Sequence, residues 1–223
     1  MTHPIWPFYD LCVRTPQIEL RYVDDELATD LAALAAKGIH EPGVMPFISP
    51  WTEVPSPQIE RNTVQSFWRR RAELSAAAWT LSLAVIVGGS VAGLTAVEAS
   101  DFPTLRQFRT GSWLGRDFQG QGIGKEMRLA SLHLGFLGFA AEIATTAAFD
   151  DNGPSLGVTR SLGYHGNGQS LIARGGRPAT SLNFQMTRAD FLARLQRDDI
   201  TLHGVEACVP LLGLAEDPLS PDR

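Results

Sequence analysis

The 223-residue chain predicts an α/β (α+β) fold in which helices flank a central mixed, mostly antiparallel twisted sheet, and three stretches carry that expectation. Residues 79–87 and 90–98 are two strand-like runs joined by Gly88-Gly89, and a two-residue glycine turn suits a tight antiparallel hairpin. Residues 105–114 read as another strand that enters a turn of small residues. Helical spacing follows it, with Ile123, Met127, Ala130, Leu134 and Leu137 on one stripe. The apolar run 143–149 then returns beside that strand as the far arm of a crossover, which makes the pair parallel and the sheet mixed.

The other elements follow in chain order. Residues 18–23 alternate apolar and polar side chains as a first strand does. Asp24 or Asp25 caps a helix whose Leu27, Leu31, Leu34 and Ala35 share a face, with an end near Gly38. Residues 40–57 carry five prolines along with Phe47 and Trp51, so they cannot be regular throughout; they are a packed connector or a lid lining an acceptor pocket. Residues 58–74 are helical, with Ile59, Thr63, Phe67 and Leu74 spaced for burial. Arg61, Arg69, Arg70 and Arg71 form a solvated face or an anchor for an acidic acceptor.

Asp151 or Asn152 caps a short helix with Pro154 in its first turn, and Leu162-Gly163-Tyr164 closes it and starts a strand. A last strand is expected at 180–186 and a terminal helix from Thr187 through Phe191, Leu192 and Leu195. Gly166, Gly168, Gly175 and Gly176 are expected in loops. The whole reads as one domain over 1–223, with 1–17 an N-terminal extension and 210–223 a tail.

Composition narrows the function. The chain is 44% hydrophobic, and no apolar run reaches the roughly 18 residues that span a bilayer, so a protein without a membrane partner is expected. No basic region followed by an apolar stretch opens the chain, and Cys12 and Cys208 are isolated. Both observations fit a reducing, cytoplasmic setting. The five histidines lack metal-ligand spacing, and a net charge of −5 argues against nucleic acid as a partner.

The segment 111–125 carries the chemistry. Gly120, Gly122 and Gly124 let the backbone approach an anion closely, and the helix behind them points free N–H groups and its positive dipole end at the same spot. Lys125 is followed by Glu126, so the hydroxyl a P-loop uses for magnesium is missing. The alternate glycines also differ from the dinucleotide fingerprint.

Gln119-x-x-Gly122-x-Gly124 resembles the Q/R-x-x-G-x-G/A signature of the GNAT acyltransferases, and the order of elements resembles the GNAT fold. With Asn152-x-x-Ser155 and Leu162-Gly163-Tyr164, the stretch 105–165 is similar to the RimJ/RimL branch, which acetylates protein N-termini and small amines. The resemblance implies acyl-coenzyme A as co-substrate, acetyl by default and succinyl as the other option, with no metal. It places Gln119, Gly120, Gln121, Gly122, Ile123, Gly124 and Lys125 at the pyrophosphate. It also implies that the main chain at Ser112, Trp113 and Leu114 pairs with the pantetheine arm, that Asn152 binds that arm, and that Ser155 lies near the sulfur. Asn152 and Ser155 have a plainer reading as a helix cap and a polar first-turn residue. Dimers are common among proteins of this kind.

Acyl transfer from a thioester needs a neutral amine, a site for the oxyanion and help for the leaving thiolate. No unmistakable base is present; Glu98, Asp101 and Glu53 are candidates acting through water. An α-amino group is about a tenth neutral at pH 7, so it asks less of a base than a lysine does. The acceptor is therefore a small-molecule amine or a peptide or protein amine, attacked directly in a ternary complex because no cysteine lies near the motif. A succinyl group would require a basic residue, for which Arg69, Arg70, Arg71 and Arg109 are available. The alternative is a non-catalytic acyl-coenzyme A sensor or assembly module that keeps the turn without a productive base.

Overall fold

The computed structural model describes residues 3–214. Its strands are β1 (Cys12–Arg14), β2 (Glu19–Tyr22), β3 (Ala78–Val87), β4 (Ser90–Ser100), β5 (Gln107–Leu114), β6 (Ile143–Phe149), β7 (His165–Arg174), β8 (Arg177–Thr187) and β9 (Thr201–His203). They form one sheet in the order β7-β8-β6-β5-β4-β3-β2-β1-β9. Every neighbouring pair is antiparallel except β5 with β6, so the sheet is mixed and mostly antiparallel as expected.

The helices are α1 (Asp25–Ala36), α2 (Gln58–Ala72), the short α3 (Phe102–Leu105), α4 (Ile123–His133), α5 (Gly153–Ser161), α6 (Arg188–Arg194) and the short α7 (Val205–Cys208). Asp24 is the cap of α1: its Oδ1 accepts the Leu27 N–H at 2.8 Å, a bond worth about 1 kcal/mol. One face of the sheet is covered by α1 and α2, where Leu27, Ala28, Leu31 and Phe67 pack on Ala84 of β3 and Leu94 of β4. The other is covered by α4, where Thr95 and Ser131 hydroxyls meet at 3.0 Å. Gly88 and Gly89 both have positive φ, 55° and 82°, which is what a primed two-residue turn asks of its central pair.

Several boundaries differ from the sequence reading. Strand β5 starts two residues later than expected, because residues 102–105 coil into a helical turn bracketed by Asp101 and Arg106 in the left-handed region. Gly166 and Gly168 lie inside β7, where the register with β8 shifts between Gly166 and Gln169. Gly175-Gly176 is the turn of that hairpin. The extension also contributes structure: Phe8, Leu11 and Val13 are fully buried, and β1 pairs with both β2 and β9. Neither β8 nor α6 is terminal, since β9 and α7 follow them. Beyond Pro210, Leu212 and Leu214 are buried; the rest of the expected tail, 215–223, lies outside the described residues. Strands of three residues are too short to show a period, which is why β1 and β9 gave no signal.

Candidate active site

The site is built on one irregularity of the sheet. Strands β5 and β6 pair only from Gln107↔Ile143 to Arg109↔Thr145. Beyond that point β5 continues with β4 as far as Gly93↔Leu114, whereas β6 continues with β8 as far as Phe149↔Ser181. The two parallel strands therefore diverge, and a V-shaped gap opens toward their C-terminal ends.

Alternation decides which backbone groups line the gap. The Gly115 N–H donates to Ala92 O at 2.9 Å, toward β4. Phe108 O and Thr110 O instead accept the hydroxyls of Thr145 and Thr146, both at 3.2 Å, toward β6. Even-numbered residues of β5 thus turn their main chain to the gap. Ser112 and Leu114 belong to that set, while Trp113, grouped with them in the sequence reading, turns its main chain to β4 and sends its side chain over the α1–α2 face.

At the open end lies the glycine turn. Gly120 and Gly122 have φ of 72° and 82°, conformations that favour glycine, and a Cβ on either would meet nothing within 4 Å. The turn's backbone bonds run from Gln119 N to Arg116 O and from Lys125 and Glu126 N to Gly122 O. Among the described residues, the N–H groups of 120–124 have no protein acceptor. Five unpaired donors at the start of α4 form a cradle for an anion, and a diphosphate fits its chemistry. Gly124 packs closer, for a Cβ added there would stand 3.6 Å from Val158 of α5, and Ile123 is buried beneath the turn.

Two side chains of the motif act on the protein itself. Gln119 Nε2 donates to Ile39 O at 2.8 Å and to Leu114 O at 2.9 Å, fastening the turn to the end of β5 and to the segment after α1. Gln121 Nε2 donates to Asp117 O at 2.6 Å. The Lys125 side chain is exposed. Asn152 caps α5, its Oδ1 accepting the Ser155 N–H at 3.2 Å, and Ser155 is half-buried on the first turn of that helix, directly after β6.

Beneath the apex of the gap, sequence reasoning missed a polar stitch. Buried Arg128 donates from Nη1 to Thr146 Oγ1 at 2.8 Å, and Thr146 donates to Thr110 O at 3.2 Å, joining α4, β6 and β5 just past their last backbone pair. The Tyr164 phenol is buried nearby with its pKa raised by desolvation. A polar residue on an apolar helical stripe carries no period of its own, so nothing in the sequence marked Arg128.

The α1–α2 face of the gap is built from side chains of β3, β4 and β5. Rows of side chains run across it: Ala84, Leu94 and Trp113, then Ser82, Ala96 and Gly111, then Thr80, Glu98 and Arg109. The proline-rich segment packs over the first row, with Trp51 and Trp113 ring centroids 6.1 Å apart and Phe47 5.3 Å from Trp51. Arg116–Glu41 at 2.8 Å and Arg174 to Met45 O at 3.2 Å hold it there. Arg174 also grips Asp151 at 2.9 Å, which pulls that carboxyl's pKa down. The segment is a packed connector that also walls this face.

Below these rows lies a cleft of about 460 Å³ lined by Arg70, Glu73, Thr80, Glu98 and Arg109 among others. Glu98 stands 3.6 Å from Arg109, its partner in the β4–β5 register. Three strand positions separate it from the Ser112 row, about 10 Å. Asp101 is three residues farther still, beyond the end of β4 in the turn into α3, so it is not brought to the gap. Glu53 is exposed in the proline-rich segment. Of the four arginines considered for an anion, Arg71 is tied to Asp25 at 3.1 Å and Val23 O at 3.2 Å, and Arg69 is exposed. Arg70 and Arg109 line the cleft. Among the described residues no cluster of His, Cys, Asp and Glu is arranged to hold a metal, and no helix is long and apolar enough to cross a membrane.

A mixed sheet parted between two parallel strands, with a glycine turn and helix N-terminus at the opening, defines the class of acyl-coenzyme A-dependent N-acyltransferases. Residues 17–165 match the family model described as acetyltransferase (GNAT) domain, and the chain belongs to that family. Among solved structures it is similar to RimJ of Mycobacterium smegmatis in complex with a coenzyme A disulfide, at 18% identity and a TM-score of 0.67, covering 84% of this chain and 95% of that one. It is also similar to the ribosomal α-N-protein acetyltransferase RimL in complex with coenzyme A, at 18% identity and a TM-score of 0.61 over 78% and 95% of the two chains. A third is a putative ribosomal-protein-serine acetyltransferase from Vibrio cholerae, at 18% identity and a TM-score of 0.62 over 84% and 99%. The resemblance to the RimJ/RimL branch thus extends to the fold.

Proposed function

We propose that this enzyme transfers an acyl group, acetyl by default, from acyl-coenzyme A to a primary amine by direct attack within a ternary complex. The observation that carries the reading is the unpaired main chain of Ser112 in the gap, in line with the five free N–H groups of 120–124 at its mouth. The turn would hold the pyrophosphate, and the pantetheine arm would lie along β5 as a substitute strand.

In this reading the Ser112 N–H points at the thioester carbonyl and donates a hydrogen bond to its oxygen as charge develops there, a contribution of about 3 kcal/mol. Holding both substrates in the gap supplies on the order of 7–11 kcal/mol more. The amine enters from the face of Trp113 and Gly111 and loses its proton to water ordered by Glu98. The departing thiolate takes a hydrogen bond from Ser155, whose hydroxyl accompanies an N–H already engaged by Asn152. Cys12 and Cys208 are buried away from the gap, which supports direct attack over an acyl-enzyme. Two free thiols also support a reducing, cytoplasmic setting.

Turnover measured by mass spectrometry with acetyl- and succinyl-coenzyme A against N-terminal peptides, lysine peptides and small amines tests the proposal. Acylation of at least one amine class, lost when the coenzyme is omitted, is the expected result. Coenzyme binding without transfer to any amine would overturn it in favour of a sensor.

A further inference from the structure

Resting on the reading above, we propose that the acceptor is a small primary amine that also carries a carboxylate, which Arg70 binds on the α1–α2 face of the gap. Arg70 reaches from α2 onto the sheet, where its Nη1 donates to Ser82 Oγ at 3.2 Å. This bond places the guanidinium in the row Ser82, Ala96, Gly111, the row whose last member adjoins Ser112.

That row carries the smallest side chains of the three on this face. Ala96 and Gly111 offer almost no side chain, and a Cβ on Gly111 would meet nothing within 4 Å. Trp113 and Trp51 wall one side, and the Glu98–Arg109 pair walls the other. Two strand spacings separate Ser82 from Gly111, so a ligand with its amine at the gap meets Arg70 about 10 Å away.

Charge points the same way. The Arg109 guanidinium is already matched to Glu98, whereas among the described residues no carboxylate lies within 4 Å of Arg70; Glu73 stands exposed at the cleft rim. Among the described residues this half-buried guanidinium has a hydroxyl as its one side-chain hydrogen-bond partner, which keeps donors free for a bidentate carboxylate. The distance separates two sources of that carboxylate. A succinyl chain attached at the carbonyl is too short for the crossing. A dipeptide or an ω-amino acid spans it.

The experiment is calorimetric titration of the coenzyme A-loaded protein with Gly-Gly and with Gly-Gly amide, in the wild type and in Arg70→Gln. The acid is expected to bind at least tenfold more tightly than the amide, and Arg70→Gln to abolish that difference while leaving coenzyme affinity and melting temperature unchanged. Gly111→Leu, which puts a bulky side chain into this row, should weaken acid and amide alike. Arg70→Lys should restore part of the preference. Equal affinity of the wild type for acid and amide overturns the proposal. So does an Arg70→Gln variant that keeps the preference, or one whose only loss is turnover with succinyl-coenzyme A. Because binding is read apart from turnover, preferential acid binding without acylation would refute the catalytic reading alone.

Discussion

Gly122→Val tests the anion cradle most directly. Gly122 sits at the N-cap of α4 with φ of 82° and ψ of −13°, and an added Cβ would meet no atom within 4 Å. The fold therefore has room for the side chain, and its cost is conformational, about 1–3 kcal/mol for a branched residue in the left-handed region. Whether the turn keeps its shape or relaxes, branched methyls stand where the backbone must approach the diphosphate. Losing one charge-assisted hydrogen bond, worth about 1.5–3 kcal/mol, weakens binding roughly ten- to hundredfold. Calorimetric titration with coenzyme A reads this directly, and thermal melting should show a fall of about 2–4 °C per kcal/mol of strain. Gly43→Val is the matched control: its φ is 80°, its Cβ also meets nothing within 4 Å, and it lies outside the turn. It should melt earlier yet bind coenzyme normally. Wild-type affinity in a folded Gly122→Val protein, or equal loss in Gly43→Val, would refute the assignment of the turn.

Ser155→Ala should lower kcat more than it raises KM for the coenzyme, because its hydrogen bond matters once charge develops on sulfur; steady-state kinetics in which KM alone rises would contradict that role. Gly135→Ala should destabilise the fold by about 1–3 kcal/mol in a denaturant titration, since its Cβ would fall 2.2–2.3 Å from atoms of the Phe108 ring. Burial lowers the pKa of His133, whose Nδ1 donates to Leu129 O at 2.9 Å while Nε2 accepts the Arg197 N–H at 3.0 Å. The unfolded state then binds the proton more readily, so this contribution to stability is complete above pH of about 6.5 and is lost as pH falls below it. A His133→Gln protein with the same acid limb as the wild type would disprove it. Desolvation pushes both thiols up to about 12, so neither Cys12 nor Cys208 should react with a disulfide reagent at pH 8 until the protein unfolds.

Elements whose cause is local were legible in the sequence. The Asp24 cap, the Gly88-Gly89 turn and the α4 stripe of Ile123, Met127 and Ala130 each arise from residues within a few positions of one another and stand where their spacing placed them, whereas Leu134 and half-buried Leu137, expected on the same stripe, fall in a π-helical turn after α4. The glycine turn was legible for the same reason, since positive φ at Gly120 and Gly122 is a backbone requirement that only a side-chain-free residue meets cheaply. The site's long-range parts were not. Arg70 and Arg71 are neighbours in the sequence, yet one reaches the sheet and the other returns to Asp25, a choice made by the packing of α2 on β3. Glu98 and Asp101 looked equivalent as carboxylates at a strand end, and only the pairing of Glu98 with Arg109 and the turn at Asp101 separates them. The Arg128–Thr146–Thr110 stitch joins residues brought together by the crossover, which no local pattern records.

The division of labour along β5 follows from the two-residue period of a strand. Even-numbered residues send side chains to the α4 face, as buried Phe108, Thr110 and Leu114 do, and turn their main chain toward β6. Odd-numbered residues do the reverse, so Arg109, Gly111 and Trp113 face the α1–α2 side while their backbones stay bonded to β4. One strand thereby presents main-chain groups to the gap and side chains to the α1–α2 face, without either set being shared. The gap makes the arrangement usable, because where β6 departs after Thr145 the even-numbered main chain loses its partner while the odd-numbered set keeps its own. A single-residue insertion between Arg109 and Ser112 would exchange the two sets, turning an aromatic side chain into the core and the acceptor wall into backbone. Coenzyme affinity and acceptor affinity should then fall together, whereas Gly122→Val and Arg70→Gln each remove only one.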